Sequence, residues 1–221
     1  MLTIFFPRVC DNCEVELSKY EKIICADCRH ELPLTNFHFT NNNAMKNVFF
    51  GRVAVEHATS LLYFEKKGIT QHLLHKLKYK GRKEISAFFG SWLGAELKNI
   101  EAYKSVDLVI PVPLHKKKLK IRGFNQVEGF AKEIAKSLQK PYLDSVLIKP
   151  TTASSQVFKQ RVSRFTNNAG YFKAINLELL KNKHVLLVDD IVTTGATLEI
   201  CAKELLKANN CKLSFATIAI A

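Results

Sequence analysis

Residues 184–198, His-Val-Leu-Leu-Val-Asp-Asp-Ile-Val-Thr-Thr-Gly-Ala-Thr-Leu, constrain the fold more than any other stretch of the chain. Val185 to Val188 form an unbroken apolar run, the pattern of a strand buried on both faces. Such strands belong to parallel sheets covered by helices on both sides, which bind ligands outside the carboxyl ends of their strands. Two carboxylates, Asp189 and Asp190, are expected to emerge there, followed by a hydroxyl-rich turn through Thr193, Thr194, Gly195, Ala196 and Thr197 that opens a helix. Backbone N–H groups of such a turn, the positive end of the helix and the threonine hydroxyls form a cradle for phosphate, and Gly195 lets the backbone approach closely. Ionised carboxylates only accept hydrogen bonds, so an adjacent pair suits the hydroxyls of a vicinal diol. One turn thus offers a phosphate seat and a ribose clamp. A Walker B strand also ends in acidic residues, but no GxxxxGK[ST] loop occurs to serve it. A receiver-type acidic pair would leave Thr-Thr-Gly-Ala-Thr unexplained.

The rest of the chain fits the same sheet. Val106 to Ile110 is a β-branched run ended by Pro111-Val112-Pro113, consistent with a second central strand, and a basic loop follows it. Asn125 with Glu128 reads as a capping box, and Val127, Phe130, Ala131, Ile134 and Leu138 share one helical face. Alternation over Val53 to Phe64 suggests paired strands, and Lys67-Gly68 then turns into an amphipathic helix bearing Leu73, Leu74 and Leu77. A second helix is expected over Glu84 to Lys98, a short strand over Val146 to Lys149, a polar segment to Asn168, a helix over Thr197 to Ala208 and a strand over Leu213 to Ile220. This β/α alternation predicts an α/β fold, a parallel twisted sheet with flanking helices, over residues 46–221.

Four of the six cysteines fall as Cys10-Asp11-Asn12-Cys13 and Cys25-Ala26-Asp27-Cys28. Two CxxC knuckles separated by a short loop have zinc-ribbon spacing, with a disulfide pair or four free thiols as the other readings. Four thiolates leave no open position, so such a Zn²⁺ is structural. The module with its linker is expected over residues 1–45, and the Asn- and Thr-rich stretch from Leu34 to Asn47 reads as loop. Cys201 and Cys211 have no partner at ligand spacing and read as small buried residues. At 221 residues and 47% hydrophobic, the chain has room for one sizeable core plus such an appendage.

The formal charge of +13 points to an anionic partner, with lysines clustered over Lys66 to Lys83 and Lys116 to Arg122. Nucleic acid, phosphorylated metabolite and membrane surface all qualify, as does a solvated basic surface with no partner. No apolar run is long enough to span a bilayer. The apolar opening Met1 to Pro7 lacks a basic n-region, so a cytoplasmic protein is expected.

Residues 185–197 are similar to the phosphoribosyl pyrophosphate (PRPP) motif of the type I phosphoribosyltransferases. The whole chain resembles the ComF family of bacterial competence proteins, described as amidophosphoribosyltransferase-like. Four signatures occur in order: the double CxxC, His75 to Arg82, Pro111 to His115 leading to Arg122-Gly123-Phe124-Asn125-Gln126, and the PRPP motif; Gln156 to Arg164 is similar to the family's Gln/Arg stretch. The resemblance implies that Asp189 and Asp190 hold the ribose, that Thr193 to Thr197 hold the 5-phosphate, and that backbone groups at Pro111, Val112 and Pro113 meet pyrophosphate. It also implies that a mobile basic loop carrying Lys116, Lys117, Lys118, Lys120 and Arg122 closes over PRPP while Mg²⁺ bridges its oxygens.

Type I enzymes take the incoming base under a hood, often partly C-terminal to the motif. Here Ala221 directly follows the last strand, so a hood is expected from the N-terminal half, where the zinc module meets Val53 to Phe64. Two functions follow. The first is a PRPP- or ribose-5-phosphate-binding protein of the DNA-uptake machinery that binds single-stranded DNA on a basic groove beside Tyr63, Phe64, Tyr79 and Phe124. The second is an active Mg²⁺-dependent phosphoribosyltransferase in nucleotide metabolism or salvage, with Asp189, Asp190 and Arg122 as catalytic residues and Lys118 on the phosphates.

Overall fold

The computed structural model describes residues 7–150 and 171–221. The Gln156–Arg164 stretch lies outside the described residues. The strands are β1 (Ala58–Tyr63), β2 (Leu108–Pro111), β3 (Leu147–Ile148), β4 (Lys173–Ala174), β5 (His184–Val192) and β6 (Lys212–Ile220). Four of them form one sheet in the order β1-β6-β5-β2, with every neighbouring pair parallel. β3 and β4 make a separate antiparallel pair.

Period-two alternation along β5 explains the two cores. Val185 and Leu187 face one side with Phe215, where α8 (Ala196–Leu205) covers the sheet through Leu198, Cys201, Ala202 and Leu205. Leu186 and Val188 face the other side, against α3 (Ile69–Tyr79), α4 (Glu84–Leu97) and α7 (Glu128–Leu138). The expected two-sided parallel sheet is therefore present, and Cys201 and Cys211 are buried beside it. Residues of the N-terminal module, among them Leu17, Ile23, Ile24 and Leu32, belong to the same core as α3 and α4. The module is thus packed onto the helices of one face.

Four local expectations change. The alternating stretch Val53–Phe64 contains one strand, β1; ahead of it the chain folds back, with Val53 N–H donating to Phe49 O at 3.1 Å. The outer edge of β1 is met by Pro33 to Thr35 through Thr35 N–H to Leu61 O and Tyr63 N–H to Pro33 O. Within the Asn-rich stretch expected as loop, a 3₁₀ turn forms at Phe37–Phe39 and a short helix, α2, at Ala44–Asn47. Buried Asn43 organises it: its Oδ1 accepts from Lys46 N at the helix start, and its Nδ2 donates to Phe37, Thr40 and Ala58 carbonyls.

The basic segment after β2, expected as a loop, is a helix, α6 (Lys116–Arg122). His115 Nδ1 accepts from Lys117 N at 3.1 Å at its start, and Gly123, at φ 78°, closes its end in the left-handed conformation. At the start of α7, Asn125 Oδ1 accepts from Val127 N, but the Glu128 carboxylate pairs with Lys132 rather than completing a capping box.

Candidate functional site

β5 does not end before its carboxylates. The ladder to β6 continues through Asp189, Ile191 and Val192, so Asp189 and Asp190 sit within the strand and are 7% and 6% exposed. As neighbours in a strand they belong to opposite faces. Asp189 shares a face with Val185 and Leu187, on the α8 side. Asp190 shares one with Leu186 and Val188, on the α3 side. Asp189 Oδ1 accepts the Asp190 N–H at 2.8 Å. Burial, and then the adjacent Asp190, push the Asp189 carboxyl well above the usual range, while Lys78 acts against the shift.

Asp190 Oδ2 lies 2.8 Å from the ammonium of Lys78 on α3. Both side chains of this ion pair are largely buried. A carboxylate has about four lone-pair sites, so beside the ammonium it can still accept from a ribose hydroxyl.

The turn from β5 into α8 brings Thr193, Thr194, Gly195, Ala196 and Thr197 together at the C-terminal edge of the sheet. The first intrahelical bond runs from Glu199 N–H to Gly195 O, which leaves the N–H groups of the first turn pointing out of the helix, as an anion needs. Gly195 stands at φ +75°, and a Cβ there would come within 2.7 Å of Val48 Cγ1 and 2.8 Å of Phe49 Cε1. The segment after α2 therefore packs directly under the turn. Arg52 ties it down, donating to Thr194 O at 2.7 Å and pairing with Glu199 on α8. Gly195→Val is expected to destabilise the protein by about 2–4 kcal/mol through the clash and the left-handed strain. Urea denaturation checks this, and an unchanged midpoint would mean that the turn has room to spare.

The other predicted residues gather at the same edge. Val112 N–H is committed to Val188 O at 2.8 Å and Val112 O accepts from Asn125 Nδ2 at 3.1 Å. Pro111 and Pro113 carry no N–H. Among Pro111, Val112 and Pro113, then, no backbone N–H is left free for an anion. Lys118 is exposed on α6. Arg122 is half-buried: its guanidinium stacks 5.4 Å from the Tyr79 ring and donates to Gln126 Oε1 at 2.7 Å. Of the candidate stacking aromatics, Tyr63 and Tyr79 are exposed, whereas Phe64 and Phe124 pack against the core.

Three residues at this edge escape sequence reasoning. Lys78 carries a visible signal, since the Leu73, Leu74, Leu77 stripe fixes which side of α3 faces the sheet. Arg52, 142 residues from Thr194, has no such signal. Lys149, just past β3, stands 4.3 Å over the Phe172 ring. Burial pulls its pKa down, and it feels both Lys118 and Asp189.

Beside α3 the sulfur atoms of Cys10, Cys13, Cys25 and Cys28 all lie within 4.8 Å of one another, a set that could hold a metal ion. Asn12 N–H and Cys25 N–H point at Cys10 Sγ, at 3.4 and 3.3 Å, and Asn12 Nδ2 lies 3.2 Å from Cys28 Sγ. Donors on sulfur are what thiolate ligands require.

Residues 128–221 match the phosphoribosyl transferase domain family. The chain is 35% identical over 133 residues to the Streptococcus pneumoniae competence protein ComFC, covering 60% of this chain and 55% of that one. It is 24% identical over 203 residues to Haemophilus influenzae competence protein F, covering 90% and 84%. The chain is thus similar to proteins named competence protein ComFC and competence protein F. The Escherichia coli O157:H7 DNA utilization protein YhgH is another relative, 29% identical over 139 residues, 61% of this chain and 60% of that protein. Apart from competence protein F, the chain thus spans less than two thirds of the length of these relatives.

Among solved structures, the Bacillus subtilis glutamine PRPP amidotransferase complexed with ADP and GMP superposes with a TM-score of 0.45 at 19% identity, over 65% of this chain and 30% of that one. The domain match covers β5, the acidic pair and α8. The four-cysteine module lies outside it. No helix among the described residues is long and apolar enough to cross a membrane.

Proposed function

We propose that this chain binds PRPP with Mg²⁺ at the C-terminal edge of β5 and works in DNA uptake, where it handles single-stranded DNA. One observation carries the reading: two adjacent buried carboxylates, one of them paired with Lys78, stand beside a glycine-started helix turn whose first N–H groups have no partner within the helix. That pairing of acceptor and anion cradle fits a phosphorylated ribose. The relatives' names, competence protein and DNA utilization protein, supply the biological setting. Mg²⁺ would neutralise pyrophosphate oxygens alongside Lys118 and its neighbours on α6. The four cysteines would hold Zn²⁺, because four clustered thiolates with backbone and amide donors match a closed tetrahedral site. The protein would act in the cytoplasm, where PRPP and reduced thiols are found.

For DNA, exposed lysines of α6 and the exposed rings of Tyr63 and Tyr79 supply charge and stacking surface. Fluorescence anisotropy of a labelled single-stranded oligonucleotide is expected to show binding at low salt that weakens steeply as salt rises, and that PRPP with Mg²⁺ alters. Absence of binding at any salt would overturn the DNA assignment and leave the basic charge to metabolite phosphates.

The second reading, an active phosphoribosyltransferase, is favoured by the intact acidic pair and turn. In that case PRPP loses pyrophosphate from C1 of the ribose, a base or amine nitrogen forms the new C1–N bond and gives up its proton, and Asp189 and Asp190 hold the ribose during the transfer. Arg122 would stabilise the leaving pyrophosphate.

A further inference from the structure

Lys78 stands on a helix that is also contacted from its other side by the first cysteine knuckle. Asp11, inside the first CxxC knuckle and 5% exposed, takes Arg82 Nη2 at 2.7 Å and Lys76 Nζ at 3.9 Å. Its neighbour Asn12 reaches the cluster through Nδ2, 3.2 Å from Cys28 Sγ, and reaches α3 through Oδ1, 3.2 Å from His72 Nδ1. The knuckle therefore grips α3 at His72 and Lys76, one turn apart on the same side, and again just beyond its end at Arg82. Lys78, two residues past Lys76, projects about 200° away on a regular helix. That direction brings its ammonium 2.8 Å from Asp190 Oδ2.

We infer that the four-cysteine module positions Lys78 as the counter-charge of Asp190, making Lys78 a PRPP-binding residue and the knuckle its support. The inference rests on the reading of the β5 edge as a PRPP site. Two adjacent buried carboxylates repel an incoming polyanion as well as each other; Lys78 pairs directly with Asp190, while Lys149 acts on Asp189 from the other face. A lysine on a flexible four-carbon stem needs such a placement, because its charge is otherwise spread over many rotamers. Holding α3 from its outer side fixes the backbone from which the stem departs. A cross-link of this kind explains why a module outside the phosphoribosyl transferase domain match packs into the same core as α3.

Titration calorimetry with PRPP and Mg²⁺ on the full chain, together with a colorimetric metal assay, tests this. Lys78→Met is expected to weaken PRPP binding about tenfold or more, and Lys78→Arg to recover part of the loss. Arg82→Met is expected to keep the metal content of the unaltered protein yet weaken PRPP binding about fivefold. In the Lys78→Met background the same change should add less than about twofold, since its effect passes through Lys78. Full binding by Lys78→Met, or an Arg82→Met loss that persists undiminished in its absence, overturns the inference while leaving the site reading intact. An unaltered protein that binds no PRPP would overturn the site reading and this inference together.

Discussion

Asp190→Asn is expected to lower pyrophosphate release from PRPP by about two orders of magnitude or more, in a coupled pyrophosphate assay with an acceptor that the unaltered protein uses. The carboxylate is 6% exposed and carries its charge beside the turn that opens α8. Asparagine replaces one of its two acceptor oxygens by an amide donor, which meets a ribose hydroxyl with the wrong polarity half of the time and carries no charge to offset a developing cationic C1. The change also strips Lys78 of its partner at 2.8 Å. If the chain binds PRPP without turning it over, the same variant should still lose PRPP affinity by calorimetry. A rate and an affinity both equal to those of the unaltered protein would remove Asp190 from the site.

Stripping the proposed Zn²⁺ from the cysteine cluster should have the largest effect on stability. Removal with a strong chelator, or Cys10→Ser, is expected to lower the thermal midpoint by more than about 10 °C, because structural Zn²⁺ in small modules contributes binding free energy of about 10–16 kcal/mol to folding. Cys10 is fully buried, and Leu17, Ile23, Ile24 and Leu32 of the module share a core with Leu73, Leu77 and Phe89. Loss of the cluster therefore reaches the helices of the main domain. Calorimetry alongside a metal assay reads both quantities. Complete metal removal with an unmoved midpoint would show that the cluster is not a structural staple.

Local chemistry was legible where it is written in adjacent residues. The double CxxC spacing identified the four sulfurs that converge, and the apolar run before Asp189 and Asp190 identified a strand buried on both faces. Leu73, Leu74 and Leu77 marked the inner face of α3. The basic segment Lys116–Arg122 was misread as a loop because its helix is set by two end effects, the His115 cap and the left-handed Gly123, rather than by an apolar stripe. Val53 to His57 alternates like a strand, but it runs ahead of β1 where the chain bends back on Phe49.

Sequence alone determined the periodicities, the cysteine spacing and the acidic pair with its glycine turn, since each depends on bonds and contacts within one turn of helix or a few residues of strand. Only the tertiary structure decided which face each carboxylate takes, because the β5 ladder runs on to Val192 and sends Asp189 toward α8 and Asp190 toward α3. It also decided that Arg52 braces Thr194, that Val112 has no free N–H, and that Asp11 of the knuckle holds the helix that delivers Lys78. Those contacts join residues far apart in the chain, and their partners are selected by the packing of whole elements, which no short-range pattern encodes.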